Sequence, residues 1–320
     1  MFAEFALEPA VLLVLCAVAF TAGFIDAIAG GGGLLTVEPA VLLVLCAVAF
    51  TAGFIDAIAG GGGLLTVEPA VLLVLCAVAF TAGFIDAIAG GGGLLTVPAL
   101  LTAGLPPHVV LGTNKLAATF GSFTASMTYY RKKLFNPLYW HRSLLYTAIG
   151  AVLGTLVVDR LSTEALEKIL PLLILLAAIY TLFNRMQPDD ALHLPVQSPK
   201  LFWQQRTQGL TLGFYDGIAG PGAGAFWMVS TMAIYRINLL LTSGVARTMN
   251  FVSNGFSLVA FIALGHVNFA LGIAMGLCLM LGAWLGAHSA IKFGSRFIRP
   301  VFICVVIAIA VRLAWQAWSS

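Results

Sequence analysis

Apolar residues fill long uninterrupted runs along most of this chain, and polar residues are confined to short segments between them. From Glu68 onward, nine apolar stretches follow one another. They are Pro69–Ala89, Leu94–Leu105, Val109–Tyr130, Ser143–Val158, Ile169–Phe183, Gln208–Tyr235, Leu239–Leu264, Phe269–Ala287 and Phe297–Trp318. A helix of about 20 apolar residues crosses a bilayer. The pattern therefore predicts an all-α polytopic membrane protein.

Two of the apolar regions contain strong helix breakers. Pro69–Leu105 is interrupted by Gly90–Gly93, and Gln208–Tyr235 is interrupted by a Gly-Pro-Gly-Ala-Gly sequence at Gly220–Gly224. In a helix interior, glycine costs about 1 kcal/mol and proline about 3 kcal/mol relative to alanine. Irregular backbone at membrane depth is tolerated only where protein covers it or where it lines a wet cavity. We therefore expect two broken helices whose breaks lie inside the protein.

Three identical 30-residue copies, at positions 8–37, 38–67 and 68–97, occupy the first part of the chain. Solenoid repeats diverge in sequence and are amphipathic, whereas these copies are identical and apolar throughout. A recent tandem duplication, an engineered sequence and an assembly error all account for such identity, and the sequence leaves these origins open. We divide the chain into an N-terminal segment with two surplus copies (1–67), a first transmembrane half (68–186), a cytoplasmic linker (187–206) and a second transmembrane half (207–320).

The two halves share a short motif. Gly83–Gly90 reads GFIDAIAG and Gly213–Gly220 reads GFYDGIAG. Cytoplasmic loops carry an excess of Lys and Arg, and all the basic clusters fall on one side if each broken region enters the membrane and returns as a hairpin. Each half is then a broken-helix hairpin plus three transmembrane helices, and the second half is inverted. Many secondary transporters are built from two such inverted repeats.

Composition narrows the class of protein. Hydrophobic residues make up 60% of the chain and charged residues only 9%, whereas a soluble domain has about 25% charged residues. This balance excludes an ordinary cytosolic enzyme, a disordered chain and a nucleic-acid-binding protein. The expected surroundings are the lipid bilayer. The cysteines lie in apolar runs without metal-ligand spacing, so we predict no metal, no cofactor and no catalytic residue.

Among the charged residues inside the apolar regions, where charges are costly and functional by default, four form a pattern that recurs in both halves. Asp86 and Asp216 each precede a glycine break by four residues, and Lys115 and Arg247 lie in the helices that follow. Because helix N-termini attract anions, we predict an anion-binding site. Its predicted residues are Asn114, Lys115, Arg247, Asn250, Asn254, Gly90, Gly91, Gly92, Gly93, Gly220, Gly222 and Gly224. For Asp86 and Asp216, two interpretations stay open: proton coupling, or structural ion pairs with the two bases.

Three sequence segments resemble a known family. GFIDAIAGGGGLLTVPAL at Gly83–Leu100, LGTNKLAATFGSFTAS at Leu111–Ser126 and GFYDGIAGPGAGAF at Gly213–Phe226 are similar to the sulfite exporter TauE/SafE family and, within it, to YfcA-like membrane transporters. The resemblance implies a carrier of the bacterial inner membrane, with family members associated with export of sulfite, sulfoacetate and other organosulfonates. Its glycine-rich motifs fall on Asp86–Gly93 and Asp216–Gly224, and its Asn-Lys pair falls on Asn114 and Lys115. Arg247 stands where the YfcA-like pattern has lysine.

The function expected from these features is secondary transport, in the export direction, of a small anion such as sulfite or an organosulfonate by alternating access. A proton or Na⁺ is the expected coupling ion, and a homo-oligomer is left open. The alternative is an anion channel of the same fold. An intramembrane enzyme is the weaker alternative, because the sequence contains no GxSxG or HExxH motif.

Overall fold

The computed structural model describes residues 69–165 and 194–294. Those residues form helices and connecting turns, with no β-strand among them. The helices are α1 (Pro69–Ala89), α2 (Gly93–Thr102), α3 (Pro107–Arg131), α4 (Pro137–Asp159), α5 (Pro199–Ile218), α6 (Ala223–Tyr235), α7 (Leu239–Ala263) and α8 (Phe269–Phe293). The predicted stretches Ile169–Phe183 and Phe297–Trp318 and the first two repeat copies lie outside the described residues. The prediction of an all-α protein is confirmed for the residues that the structure describes.

Two helices begin earlier than the apolar pattern indicates. Helix α4 starts at Pro137, where the Asn136 side chain accepts hydrogen bonds from two main-chain amides of the first turn. Helix α5 starts at Pro199, where Ser198 accepts from the amide of Leu201, so its first turns lie within residues 187–206. Proline at the first helical position and an Asn or Ser cap are typical of helix starts. Hydropathy misses these starts because the capped first turns are polar.

Both predicted helix breaks are present. Helix α1 ends at Ala89 and α2 begins at Gly93, and Gly90 and Gly91 between them have φ of +81° and +103°. At the second break, Gly220 and Gly222 have φ of +82° and +79°. Residues with a Cβ rarely adopt such angles, so the glycines allow the sharp turns that end one helix and start the next.

The helices differ in whether their length and hydrophobicity allow them to cross a membrane. Val71–Ala89 of α1, α4 and α8 are long and apolar enough to cross one, while α2 and α6 are apolar but shorter. At 10 and 13 residues, α2 and α6 extend only about 15–20 Å at 1.5 Å per residue. Helices α3 and α7 have 25 residues each and bury many polar side chains. They are the central helices of the described bundle.

Glycines bring two helix pairs into close contact. A Cβ atom added at Gly282 of α8 would lie 2.0 Å from the carbonyl oxygen of Phe80 in α1. The pair α4 and α5 shows the same feature, because a Cβ at Gly154 would lie 2.2 Å from the carbonyl oxygen of Phe214. Small residues allow such close approach of helices in membranes. The GxxxG spacings of Gly150 with Gly154 and of Gly282 with Gly286 therefore serve helix packing in these two pairs.

The pattern of helix contacts is the same in both halves. Helix α1 packs against α8 and α5 packs against α4, while α3 contacts α8 and α7 contacts α4. Helices α3 and α7 also pack against each other, with Ser126 Oγ 2.9 Å from Thr248 Oγ1. Each half therefore completes its packing with helices of the other half.

Candidate functional site

The two helix breaks touch each other in the interior. A Cβ atom added at Gly90 would lie 2.4 Å from the amide nitrogen of Ala225, and one added at Gly93 would lie 3.2 Å from Cα of Pro221. No side chain fits between these backbones, so the absence of a Cβ at Gly90 is needed for this contact as well as for its φ. The breaks thus bring the polar backbone of both halves to one place.

Asp86 lies at the first break and its carboxylate accepts hydrogen bonds from several groups. Oδ1 accepts from the amides of Gly91 and Gly92 at 3.1 and 3.0 Å, which are at the N-terminal end of α2. Oδ2 lies 3.3 Å from Nη1 of Arg247 and 3.3 Å from Nδ2 of Asn250, both on α7. Nη1 of Arg247 also donates to the main-chain oxygen of Asp86, and Nη2 donates to the carbonyl of Gly224.

Asp216 lies at the second break and has different partners. Lys115 Nζ on α3 lies 2.7 Å from its Oδ1 and 2.5 Å from its main-chain oxygen. The hydroxyl of Ser253 on α7 donates to Oδ2. Lys115 and Asp216 are each 1% exposed, so this ion pair is fully desolvated.

Both ion pairs join one half of the protein to the other. Asp86 of the first half pairs with Arg247 of the second, and Lys115 of the first half pairs with Asp216 of the second. The two ion pairs are present, and both interpretations of the aspartates, structural ion pairing and proton coupling, stay predictions. Removing one partner of a buried pair costs about 3–5 kcal/mol because the other charge stays buried.

The antiparallel register of α3 and α7 separates the two bases. Ser126 contacts Thr248, which is next to Arg247, whereas Lys115 lies eleven positions before Ser126 on α3. At 1.5 Å per residue, the backbone positions of Lys115 and Arg247 are about 17 Å apart along the helix pair. The two bases therefore reach the touching breaks from different levels of the helix pair.

A small cavity lies between the ion pairs. The space open to the centre of a water molecule is about 20 Å³, which corresponds to one or two waters. Its lining consists of backbone from both breaks and of polar side chains from α1, α2, α3, α5 and α7. These residues are Asp86, Gly91, Gly92, Gly93, Thr96, Asn114, Ala118, Asp216, Gly220, Gly222, Gly224, Asn250, Asn254 and Leu279.

Most of the predicted site residues line the cavity. The exceptions are Lys115, Arg247 and Gly90. Each of the two bases binds an aspartate that lines the cavity, and Gly90 contacts the start of α6. Asn254 donates to the main-chain oxygen of Asn250, one turn before it on the same helix. Within residues 69–165 and 194–294, no group of three His, Cys, Asp or Glu side chains is arranged to hold a metal ion.

Sequence reasoning missed two polar residues at the site. Thr96 of α2 donates to Oδ1 of Asn114 on α3, and Ser253 donates to Asp216. Thr96 is a polar residue in a short apolar helix, and Ser253 follows Asn250 by three positions on the same face. Single hydroxyls of this kind are common in membrane helices, where they bond to their own backbone, so the pattern alone did not separate them from the rest.

Comparison with known proteins points to one family. The family model described as sulfite exporter TauE/SafE matches residues 74–313, starting inside the third repeat copy. The "Probable membrane transporter protein ORF9" of Sinorhizobium sp is 39% identical, covering 94% of this chain and 92% of that protein. The "Probable membrane transporter protein" of Haemophilus influenzae is 36% identical over 96% of both chains. "Probable membrane transporter protein YfcA" of Escherichia coli (strain K12) is 34% identical over 98% of this chain and 93% of that protein.

No solved structure matches the chain significantly. The names of the family and of these relatives describe membrane transporters rather than enzymes. Together with the apolar helices, the comparison identifies a multi-pass membrane protein. Since the match extends over most of the chain and includes both glycine breaks, this protein belongs to the sulfite exporter TauE/SafE family.

Proposed function

We propose that this protein is a secondary transporter that exports a small anion, such as sulfite or an organosulfonate, across the bacterial inner membrane by alternating access. Membership of the sulfite exporter family supports the substrate class. The observation that carries the mechanism is the small polar cavity between two ion pairs, each of which joins the two halves.

The helix contacts support an inverted-repeat architecture. Exchanging α1–α4 with α5–α8 leaves the main set of helix contacts unchanged. The same exchange of helices converts the Asp86–Arg247 pair into the Asp216–Lys115 pair. In transporters of this kind, the substrate site lies between the repeats and the broken-helix ends contact the substrate.

In the proposed site, main-chain amides and the side-chain amides of Asn114, Asn250 and Asn254 bind the anion. Lys115 and Arg247 supply positive charge. Separation of one ion pair opens the cavity towards one side, and separation of the other opens it towards the opposite side. Because the pairs lie at different depths along α3 and α7, one can separate while the other stays closed, which is the requirement for alternating access.

The four buried charges at the site sum to zero. An anion that enters adds an uncompensated negative charge in a poorly solvated place, which is strongly unfavourable. A proton or Na⁺ that travels with the anion removes this cost. We therefore expect transport to be coupled to one of these cations.

The experiment is flux into proteoliposomes that contain the purified full-length protein. We expect uptake of sulfite, and Lys115→Ala and Arg247→Ala should each reduce it to the level of empty liposomes. Asp159→Asn is the matched control, because Asp159 pairs with His266 away from the cavity, and it should retain the wild-type rate. Sulfite flux that persists in both Lys115→Ala and Arg247→Ala contradicts the site assignment.

Counterflow separates a carrier from a channel of the same fold. A carrier loaded with unlabelled sulfite exchanges it for labelled sulfite and accumulates the label transiently, whereas a channel does not. Mass spectrometry of the transported compound tests the alternative of an intramembrane enzyme, because an enzyme would release a chemically altered product.

A further inference from the structure

We propose that the Asp86 carboxylate occupies the substrate's own anion site, and that protonation of Asp86 releases this site to a sulfonate group. The proton and the sulfonate then cross together, one proton for each monoanion. This inference rests on the proposed anion transport and assigns the coupling ion and the substrate position.

The groups around Asp86 form a built oxyanion site. Its two carboxylate oxygens accept from the amides of Gly91 and Gly92, from Arg247 and from Asn250. Two consecutive amides at a helix N-terminus together with a guanidinium are the donors that bind sulfate-like and carboxylate groups in proteins. A sulfonate has three oxygens of the same acceptor type, so it fits the donors that the carboxylate uses.

One hydrogen-bond donor of the Arg247 side chain is unused among the described residues. Its side chain is 0% exposed, and Nε is buried without a hydrogen-bond partner among the described residues. An unsatisfied buried donor is costly, and a carboxylate with two oxygens leaves it unpaired in this geometry. A ligand with a third oxygen offers an acceptor that Asp86 lacks.

The two aspartates are not equivalent in this respect. The side chain of Asp86 is 15% exposed and lines the cavity, whereas that of Asp216 is 1% exposed. Asp216 accepts from Lys115 and Ser253, and within residues 69–165 and 194–294 no main-chain amide donates to its carboxylate. Asp86 is therefore the carboxylate that water reaches and whose departure frees backbone donors.

Protonation is the step that lets the anion replace the carboxylate. Two negative groups cannot share one set of donors, because like charges at contact distance disfavour ionisation of both. Water in the cavity delivers a proton to a carboxylate oxygen of Asp86, giving a neutral acid and leaving the Arg247 charge unbalanced. The sulfonate oxygens then accept from Arg247 and the two amides, and the proton returns to water when the sulfonate leaves.

Few other charged or titratable groups face Asp86. Helix α7 contributes Arg247, helix α3 contributes the Tyr129 hydroxyl, which donates to the carbonyl of Ala87, and across the cavity lies the Lys115–Asp216 pair. Helices α2 and α6 carry no charged residue. On α8, His288 contacts the Trp284 carbonyl and Lys292 lies over Phe293, both at its C-terminal end.

The test uses the full-length protein in proteoliposomes with methanesulfonate, which stays a monoanion throughout the experiment. In the wild type we expect about one proton taken up per methanesulfonate, flux that rises up to about tenfold per unit fall in pH, and no response to a K⁺–valinomycin potential. This wild-type measurement needs no variant, so it does not depend on how a substitution affects folding.

Asp86→Asn carries a fixed neutral side chain in place of the protonated acid. Methanesulfonate flux through this variant should proceed without proton uptake, change with pH by less than about twofold and respond to the imposed potential, because the anion then crosses alone. Asp159→Asn should behave as the wild type. The inference is overturned if the Asp86→Asn protein elutes as a folded, monodisperse species and still takes up protons at the wild-type level.

The outcomes separate this inference from the proposed function. If the wild type transports neither sulfite nor methanesulfonate, the proposed function fails. If sulfite moves but methanesulfonate neither moves nor competes with it, only the inference fails. Methanesulfonate flux that follows a Na⁺ gradient and ignores a proton gradient also overturns the inference while transport itself stands.

Discussion

Asp86 and Asp216 occupy corresponding positions before the two helix breaks, yet their carboxylates have different partners. Asp86 accepts from two main-chain amides, whereas Asp216 accepts from a lysine and a serine hydroxyl. One cause is visible in the chain: Pro221 stands where the first break has Gly91. Proline has no N–H, so the second break cannot hold its aspartate as the first one does.

Lys115 and Arg247 also differ in the partners that they bind. Lys115 is a single point charge that bonds to Asp216, whereas Arg247 bonds to Asp86 and to the carbonyl of Gly224 and thereby connects both breaks. Arginine presents several donors in a fixed plane and lysine presents a compact ammonium. The comparison indicates that the Lys115–Asp216 pair is the drier structural contact and that the Asp86 region is the more adaptable one.

The largest expected effect is on the second pair. Lys115→Ala leaves Asp216 charged and 1% exposed, which should lower the free energy of unfolding by about 3–5 kcal/mol. The measurement is unfolding of the detergent-solubilised protein, followed by tryptophan fluorescence.

The double variant Lys115→Met with Asp216→Asn is the control for this effect. It removes both charges and keeps a polar group for Ser253, so stability should return to within about 1–2 kcal/mol of the wild type, since neutral replacement of a buried pair is often tolerated. A double variant as unstable as Lys115→Ala means that packing rather than the unpaired charge is responsible.

A smaller effect is expected where the breaks touch. Gly90→Ala places a Cβ 2.4 Å from the amide nitrogen of Ala225 at a φ of +81°, and overpacking plus backbone strain should cost about 2–4 kcal/mol. Gly104→Ala is the matched control, because Gly104 has φ of +82° and nothing within 4 Å of the added atom. It should cost only the backbone strain of about 1–2 kcal/mol. Equal losses in the two variants contradict the close approach of the breaks.

The smallest effect is expected from removing the surplus repeats. The family match starts at residue 74, inside the third copy, and the first break described by the structure belongs to that copy. Deletion of residues 8–67 should therefore leave membrane insertion and sulfite flux unchanged. Loss of insertion, measured as protein recovered in the membrane fraction, indicates that an earlier copy contributes to the bundle.

The sequence by itself determined the local features of this protein. Helix α1 ends at the predicted residue because the Gly90–Gly93 breakers act on neighbouring positions. The four charges of the predicted site were also evident, since each stands out within one apolar stretch. The predicted third membrane helix of each half falls outside the described residues.

Only the tertiary structure decided how the charges pair. Lys115 and Asp216 are 101 positions apart, and Asp86 and Asn250 are 164 apart. Nothing in either segment indicates that each base binds the aspartate of the other half, because that depends on the register between α3 and α7 and on the contact between the breaks. For the same reason, the sequence did not show that the Gly91 and Gly92 amides are already bound to Asp86. The two amides lie close to Asp86 in the sequence, but their hydrogen bonds to it depend on the packing of the whole bundle.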